Sequence, residues 1–207
     1  PGLVKQWDVV NEGIGNDARR RQSVWQRWIG DDYIAIAFRA ARAAAGPGVR
    51  LYYNDYFDDA LMHAAEATST APVTVAEPGA TGALGCAAVP KCRAVQRLVR
   101  GLVRRHVPID GVGFQAHMLG RDPSDQGALA AWVGKLGLRW ALTEAHIPIG
   151  AGPAPAARPP QATAFGAAAR ACLPHPACHP VLAWGLTHPD PWYARPPARA
   201  PPDAPPT

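Results

Sequence analysis

Residues 4–12 read Val4-Lys5-Gln6-Trp7-Asp8-Val9-Val10-Asn11-Glu12. The stretch opens apolar and β-branched, and it stops on an amide and an acid. Such a run reads as a buried strand whose last residues present polar groups. Its importance lies in its recurrence. Val49 to Tyr53 is a second short strand that ends in Asn54-Asp55, and Asp110 to Phe114 a third that ends in Gln115-Ala116-His117. Arg139 to Leu142 is a fourth that runs into Thr143-Glu144, and Val181 to Gly185 a fifth that carries Trp184.

Helical patterns separate these strands. A polar loop rich in Asp and Arg follows the first strand. Tyr33 to Ala45 then places Ile34, Ile36, Ala37, Ala40, Ala41 and Ala44 at helical spacing, with Asp31 or Asp32 as N-cap and Gly46-Pro47-Gly48 as the stop. Residues 58–92 are rich in Ala, Thr, Pro and Gly and read as an inserted loop. Ala94 to His106 and Asp125 to Leu136 are the next helices. A Pro/Ala loop over 149–160 precedes a helix from Ala162 to Cys172, and the tail 196–207 holds six prolines in twelve residues, the composition of a linker. Strand and helix alternate throughout, the signature of a parallel α/β fold. Active sites of β/α barrels are built at the carboxyl ends of the strands, where the polar residues gather here. Five strands are legible, whereas a closed barrel needs eight.

Composition narrows the function classes. The 207 residues are 48% apolar and 18% charged, so the chain can bury a core. No run of eighteen apolar residues argues for a membrane span. The chain starts at Pro1 with no charged-then-apolar leader, as expected of a processed chain or a fragment. The net charge is +5, yet 18 of the 21 basic residues are arginine and 41 residues are alanine, a bias that a GC-rich genome produces. Nucleic-acid binding would want a clustered footprint. The clusters present are Arg19-Arg20-Arg21 and Arg100, Arg104 and Arg105, the second at the spacing of a solvated helix face.

The four cysteines form two local pairs, Cys86/Cys92 and Cys172/Cys178, each six positions apart. Two disulfides and an oxidising compartment fit them. Zinc is the rival for Cys172, His175, Cys178 and His179, although Pro174, Pro176 and Pro180 stiffen the stretch and the spacing matches no common zinc template. Glu12 and Glu144 both follow an apolar strand and would face one mouth, and two facing carboxyls are the minimum for glycoside cleavage.

The strand ends resemble one family. Trp7-Asp8-Val9-Val10-Asn11-Glu12 is similar to the WDVVNE strand of family 10 glycoside hydrolases, the endo-β-1,4-xylanases. Leu51 to Tyr56 resembles their LYYNDY strand, and Ile109 to His117 their IDGIGxQxH strand. Leu142-Thr143-Glu144 is similar to the start of the nucleophile strand ITELDI. Trp184-Gly185-Leu186-Thr187, with Trp192 after it, resembles WGVTDxxSW. The five motifs stand in the family's order across nearly the whole chain. The resemblance implies a partial (β/α)8 TIM barrel over 1–195 and a retaining mechanism without a cofactor or metal. Glu12 matches the acid/base and Glu144 the nucleophile, about 5–5.5 Å apart. To act as acid Glu12 must start protonated, which burial and the negative Glu144 would favour. Asn11 matches the residue on the sugar 2-hydroxyl. His117 matches the histidine on the nucleophile, with Gln115 beside it, and Asn54 is a further substrate-binding candidate. Trp184 and Trp192 match the aromatic walls, where a ring stacks on the C–H face of a sugar. Trp25, Trp28, Trp132 and Trp140 are assigned to packing. The Cys172/Cys178 pair sits where many members carry a disulfide. The implied partner is xylan, and the implied protein is secreted and monomeric, free of nucleic acid and membrane.

The match has gaps. Where the family's nucleophile strand continues Leu-Asp, this chain has Ala145-His146, so the carboxylate that orients the nucleophile's histidine is missing and a weakened relay is expected. His188 and Pro191 replace an Asp and a Ser of the last motif. The family's first three strand-helix units, with a sugar-binding Lys, His and Trp, have no counterpart before Trp7. Open sheet edges invite association, so residues 1–207 alone are expected neither to fold robustly nor to cleave xylan well. The alternative is a degenerate carbohydrate-binding remnant.

Overall fold

A computed structural model describes residues 3–57, 85–117, 125–147 and 154–185. Five strands, β1 (Gln6–Asn11), β2 (Arg50–Asp55), β3 (Gly111–Phe114), β4 (Arg139–Ala145) and β5 (Cys178–Ala183), lie in one sheet in the order β1-β2-β3-β4-β5. Every neighbouring pair is parallel. Sequential parallel order with a crossover helix between strands is the winding of a β/α barrel, and five units make a partial one. The helices are α1 (Val24–Ile29), α2 (Tyr33–Ala45), α3 (Pro90–Arg104), α4 (Asp125–Gly134) and α5 (Ala154–Cys172), with a 3₁₀ turn at Cys86–Ala88 before α3. No helix among the described residues is long and apolar enough to cross a membrane.

Strand alternation sorts the side chains. Leu51 and Tyr53, Val112 and Phe114, and Trp140 and Leu142 join Ile34 and Phe38 of α2, Val95 and Val99 of α3 and Leu129 and Val133 of α4 in one apolar cluster. The other face carries Tyr52, Asn54, Gly111, Gly113, Ala141 and Thr143. Gly113 has a steric reason. A Cβ there would collide with Asn54 Oδ1 and come within 2.8 Å of Thr143 Cγ2. The missing side chain lets Asn54 cross the sheet, where Thr143 Oγ1 donates to Asn54 Oδ1 at 2.6 Å.

Several expectations need correction. The loop after the first strand contains a six-residue helix, α1, whose N-cap Ser23 accepts from the Gln26 amide at 3.1 Å. Trp25 and Trp28 on it are not packing residues: they are 62% and 79% exposed. Trp132 and Trp140 are buried as expected. Asp32 stands at the N-cap of α2 but makes no side-chain cap bond; its carboxylate pairs with Arg105 at 2.9 Å. Helix α3 begins at Pro90, so the stretch 58–92 is not a loop to its end. Proline fits a first helical turn because the amide there is unpaired anyway. Helix α5 begins at Ala154, inside the stretch read as a Pro/Ala loop. The tail 196–207, together with Trp192, His188 and Pro191, lies outside the described residues.

Both cysteine pairs are closed disulfides, Cys86–Cys92 and Cys172–Cys178, which removes the zinc reading. Arg100, Arg104 and Arg105 form the exposed face of α3 and its end, as the spacing predicts.

Candidate active site

The carboxyl ends of β1 to β4 deliver one hydrogen-bonded constellation. Glu144, near the end of β4, accepts from Asn54 Nδ2 at 2.8 Å, and its other oxygen lies 3.1 Å from His117 Nε2. Asn54 Nδ2 also donates to Asn11 Oδ1 at 2.9 Å. Gln115 Nε2 donates to Asn11 Oδ1 at 3.1 Å and to Glu12 Oε1 at 3.0 Å. A continuous polar chain thus joins the two glutamates across four adjacent strands. Asn54, Gln115 and His117 are buried, which holds their rotamers.

Backbone conformation helps to aim these groups. Glu12 has φ +55° and Ala116 φ +60°, both in the left-handed region that non-glycine residues rarely occupy. Glu12 is fixed there by its amide, which donates to the Asn54 carbonyl at 2.8 Å. Strain of this kind persists only where surrounding bonds over-determine it, and it concentrates at functional sites. Gln115 and Glu144 are likewise tied across the sheet by the Glu144 amide donating to the Gln115 carbonyl at 3.0 Å.

His146 follows β4 and pairs with His117 in an isolated parallel bridge, their ring centroids 6.1 Å apart. Trp184, half exposed, stands edge-on to His117 at 6.3 Å between centroids and borders the constellation. Among the described residues no group of three or more His, Cys, Asp or Glu is arranged to hold a metal.

Sequence reasoning missed two members of the site. Arg21 reaches Glu12 Oε2 at 2.9 Å. Lys91 is fully buried beneath the site and pairs with Asp55 at 3.0 Å, its ammonium 3.0 Å from the Tyr56 ring centroid. Asp55 also accepts from Tyr53 Oη at 2.5 Å and the Tyr56 amide at 3.0 Å. Burial raises the pKa of Asp55, and Lys91 opposes that rise. The scarcity of lysine in the chain was the one signal that set Lys91 apart.

The family model described as glycosyl hydrolase family 10 matches residues 1–75 and 86–204. Endo-1,4-beta-xylanase D of Talaromyces funiculosus is 34% identical over 194 residues, covering 92% of this chain and 41% of that protein. Endo-1,4-beta-xylanase 5 of Pyricularia oryzae is 34% identical over 191 residues, covering 90% and 40%. Among solved structures, native xylanase 10B from Thermotoga maritima matches with a TM-score of 0.67 and 31% identity over 89% of this chain and 49% of that one. Xylanase 10B from Thermotoga petrophila, solved with xylobiose, matches with a TM-score of 0.66 and 30% identity. The chain therefore spans about two-fifths of these curated relatives and about half of these solved chains. With the family model matched over residues 1–75 and 86–204 and a partial β/α barrel in its fold, this chain belongs to glycosyl hydrolase family 10.

Proposed function

We propose that this chain is the carboxyl-terminal part of a catalytic barrel that cleaves β-1,4-xylosidic bonds within xylan by a retaining double displacement. The observation that carries the reading is the polar chain from Glu144 through Asn54, Asn11 and Gln115 to Glu12 at one end of a parallel sheet. In the first step a Glu144 oxygen attacks the anomeric carbon while Glu12 gives its proton to the departing oxygen. In the second, Glu12 takes a proton from water, which attacks the same carbon and frees Glu144. The Nδ2 of Asn54 and His117 hold the two oxygens of Glu144. Asn11 would meet the sugar 2-hydroxyl, and Trp184, with Trp192, would wall the ring. Two closed disulfides suit an oxidising compartment, and secretion belongs to the reading. No cofactor is required.

One observation favours a second reading, a carbohydrate-binding remnant. His146, which cannot supply a carboxylate, is the neighbour of His117. The test is the full chain acting on an aryl β-xylobioside, with the product anomer followed by NMR. Hydrolysis with β-anomer formed first, abolished in Glu144→Ala and Glu12→Ala, supports the enzyme. Activity untouched by Glu144→Ala removes it, and binding of xylo-oligosaccharide without turnover selects the remnant.

A further inference from the structure

Arg21 is brought to Glu12 by a loop built for that delivery. Beyond β1 the chain doubles back: the Gly15 amide donates to the Arg19 carbonyl at 2.8 Å, the Ala18 amide to Gly15 at 3.0 Å, and the Arg21 amide to Gly13 at 3.0 Å. Ile14 and Arg20 close an antiparallel bridge across it. The guanidinium then meets Glu12 Oε2 at 2.9 Å, with about three-quarters of each side chain buried. The same Nη2 lies 3.5 Å from Tyr56 Oη, and that hydroxyl donates to Asn16 Oδ1 at 2.7 Å. Lys91 Nζ reaches the same Asn16 oxygen at 3.4 Å. The Arg21 fork is thus braced from below by groups anchored on the buried Lys91–Asp55 pair.

We propose that Arg21 is a positioning residue for Glu12, fixing its carboxyl and stabilising the negative charge that grows on it as its proton leaves for the departing oxygen. This rests on the reading of Glu12 as acid/base. In that step the glycosidic C–O bond breaks, the bond from Glu144 to the anomeric carbon forms, and the Glu12 proton ends on the leaving alcohol. Glu12 is left as a carboxylate. A donor aimed where charge develops lowers that barrier more than it lowers the ground state. Gln115 on Oε1 and Arg21 on Oε2 hold both oxygens, so the carboxyl plane cannot rotate freely. Charge-assisted bonds of this geometry are the strong ones.

The consequence is selective. A leaving group that departs without a proton does not need charge to grow on Glu12. Wild type, Arg21→Met, Arg21→Lys and Glu12→Ala, each in the full chain, are compared on phenyl and 2,4-dinitrophenyl β-xylobiosides. Arg21→Met is expected to lower kcat/KM about 10- to 100-fold on the phenyl substrate, and to leave the dinitrophenyl substrate within about 3-fold. Arg21→Lys, which keeps the cation but not the fork, is expected to fall between wild type and Arg21→Met. Equal losses on both substrates, or none, overturn the proposal while Glu12→Ala keeps its leaving-group dependence. If Arg21→Met does not fold, Arg21→Lys with an unchanged ratio between the two substrates overturns it equally. If Glu12→Ala itself shows no leaving-group dependence, the acid/base reading falls first and takes the proposal with it.

Discussion

Lys91→Met tests how the floor of the site is held. The variant keeps most of the stem and removes the charge. Lys91 and Asp55 are both wholly buried and 3.0 Å apart. Two unit charges at that distance attract by about 5.5 kcal/mol at an effective dielectric near 20. Desolvation offsets part of that in the intact pair, but removing one partner strands the other, which costs about 3–5 kcal/mol. The lost contact with the Tyr56 ring adds about 1 kcal/mol. A loss of about 4 kcal/mol at neutral pH is expected. Its pH dependence has a definite sign. Burial lifts the Asp55 pKa and Lys91 holds it back, so without Lys91 it climbs further. An acid whose folded pKa exceeds its unfolded one binds more protons when folded, and stability then falls as pH rises through that window. The deficit should therefore be smaller near pH ~5 than near pH ~8. Urea unfolding of the full chain at both pH values, followed by tryptophan fluorescence, reads it. Adding Asp55→Asn, which leaves no stranded charge, should recover part of the loss. A deficit under about 1 kcal/mol, or one that shrinks as pH rises, would show that the pair is not the anchor described.

Gly113→Ala should cost about 1–3 kcal/mol by overpacking and should depress turnover further, because the new Cβ displaces the Asn54 side chain that holds Glu144. Unchanged melting and kinetics would contradict the close approach. Burial pushes Tyr52 up to about 12. The neutral phenol contributes fully below the unfolded value near 10, and about 3 kcal/mol of stability should vanish as pH rises from about 10 to 12. Ultraviolet titration of tyrosinate against unfolding should show the two coinciding. Cys86→Ser with Cys92→Ser opens a loop with a sequence separation of 6 and should cost about 2 kcal/mol, measured as a lower urea midpoint with an unchanged leaving-group profile.

The strands were legible because their grammar is local. β2 and β3 are buried on both faces apart from Arg50, and so read as short apolar runs ending in polar residues. The polar ends singled out Glu12, Asn54, Gln115, His117 and Glu144, which the fold brings into one hydrogen-bonded constellation. What sequence could not give was whatever depends on chain folding back through irregular backbone. Arg21 lay in a basic triplet, and only the carbonyl and amide pairings of residues 13–21 single it out from Arg19 and Arg20. Lys91 falls inside the stretch read as an inserted loop, and its partner Asp55 lies 36 positions earlier, so nothing local joins the two. Helix α1 escaped although Val24, Trp25, Trp28 and Ile29 stand at i, i+1, i+4 and i+5 after the Ser23 cap; the Asp and Arg content of the stretch reads as a loop instead, and the helix is only six residues long. Helix α5 escaped because Pro155, Pro159 and Pro160 outweighed its alanines in a compositional reading.

The sheet does not hold the two glutamates equally. Glu144 lies on β4, paired with β3 on one side and β5 on the other. Glu12 follows β1, an edge strand of the described sheet, paired only with β2 there and carrying Trp7 at 56% exposed. Its strained backbone is pinned by one amide bond to Asn54, and its carboxyl by Gln115 and Arg21. An edge strand loses register more easily than an interior one. As the sheet loosens, Glu144 should therefore stay aimed longer than Glu12. On the reading of Glu12 as acid/base, urea below the unfolding midpoint should cut turnover of phenyl β-xylobioside before that of the 2,4-dinitrophenyl substrate, and equal losses on both would refute the unequal hold.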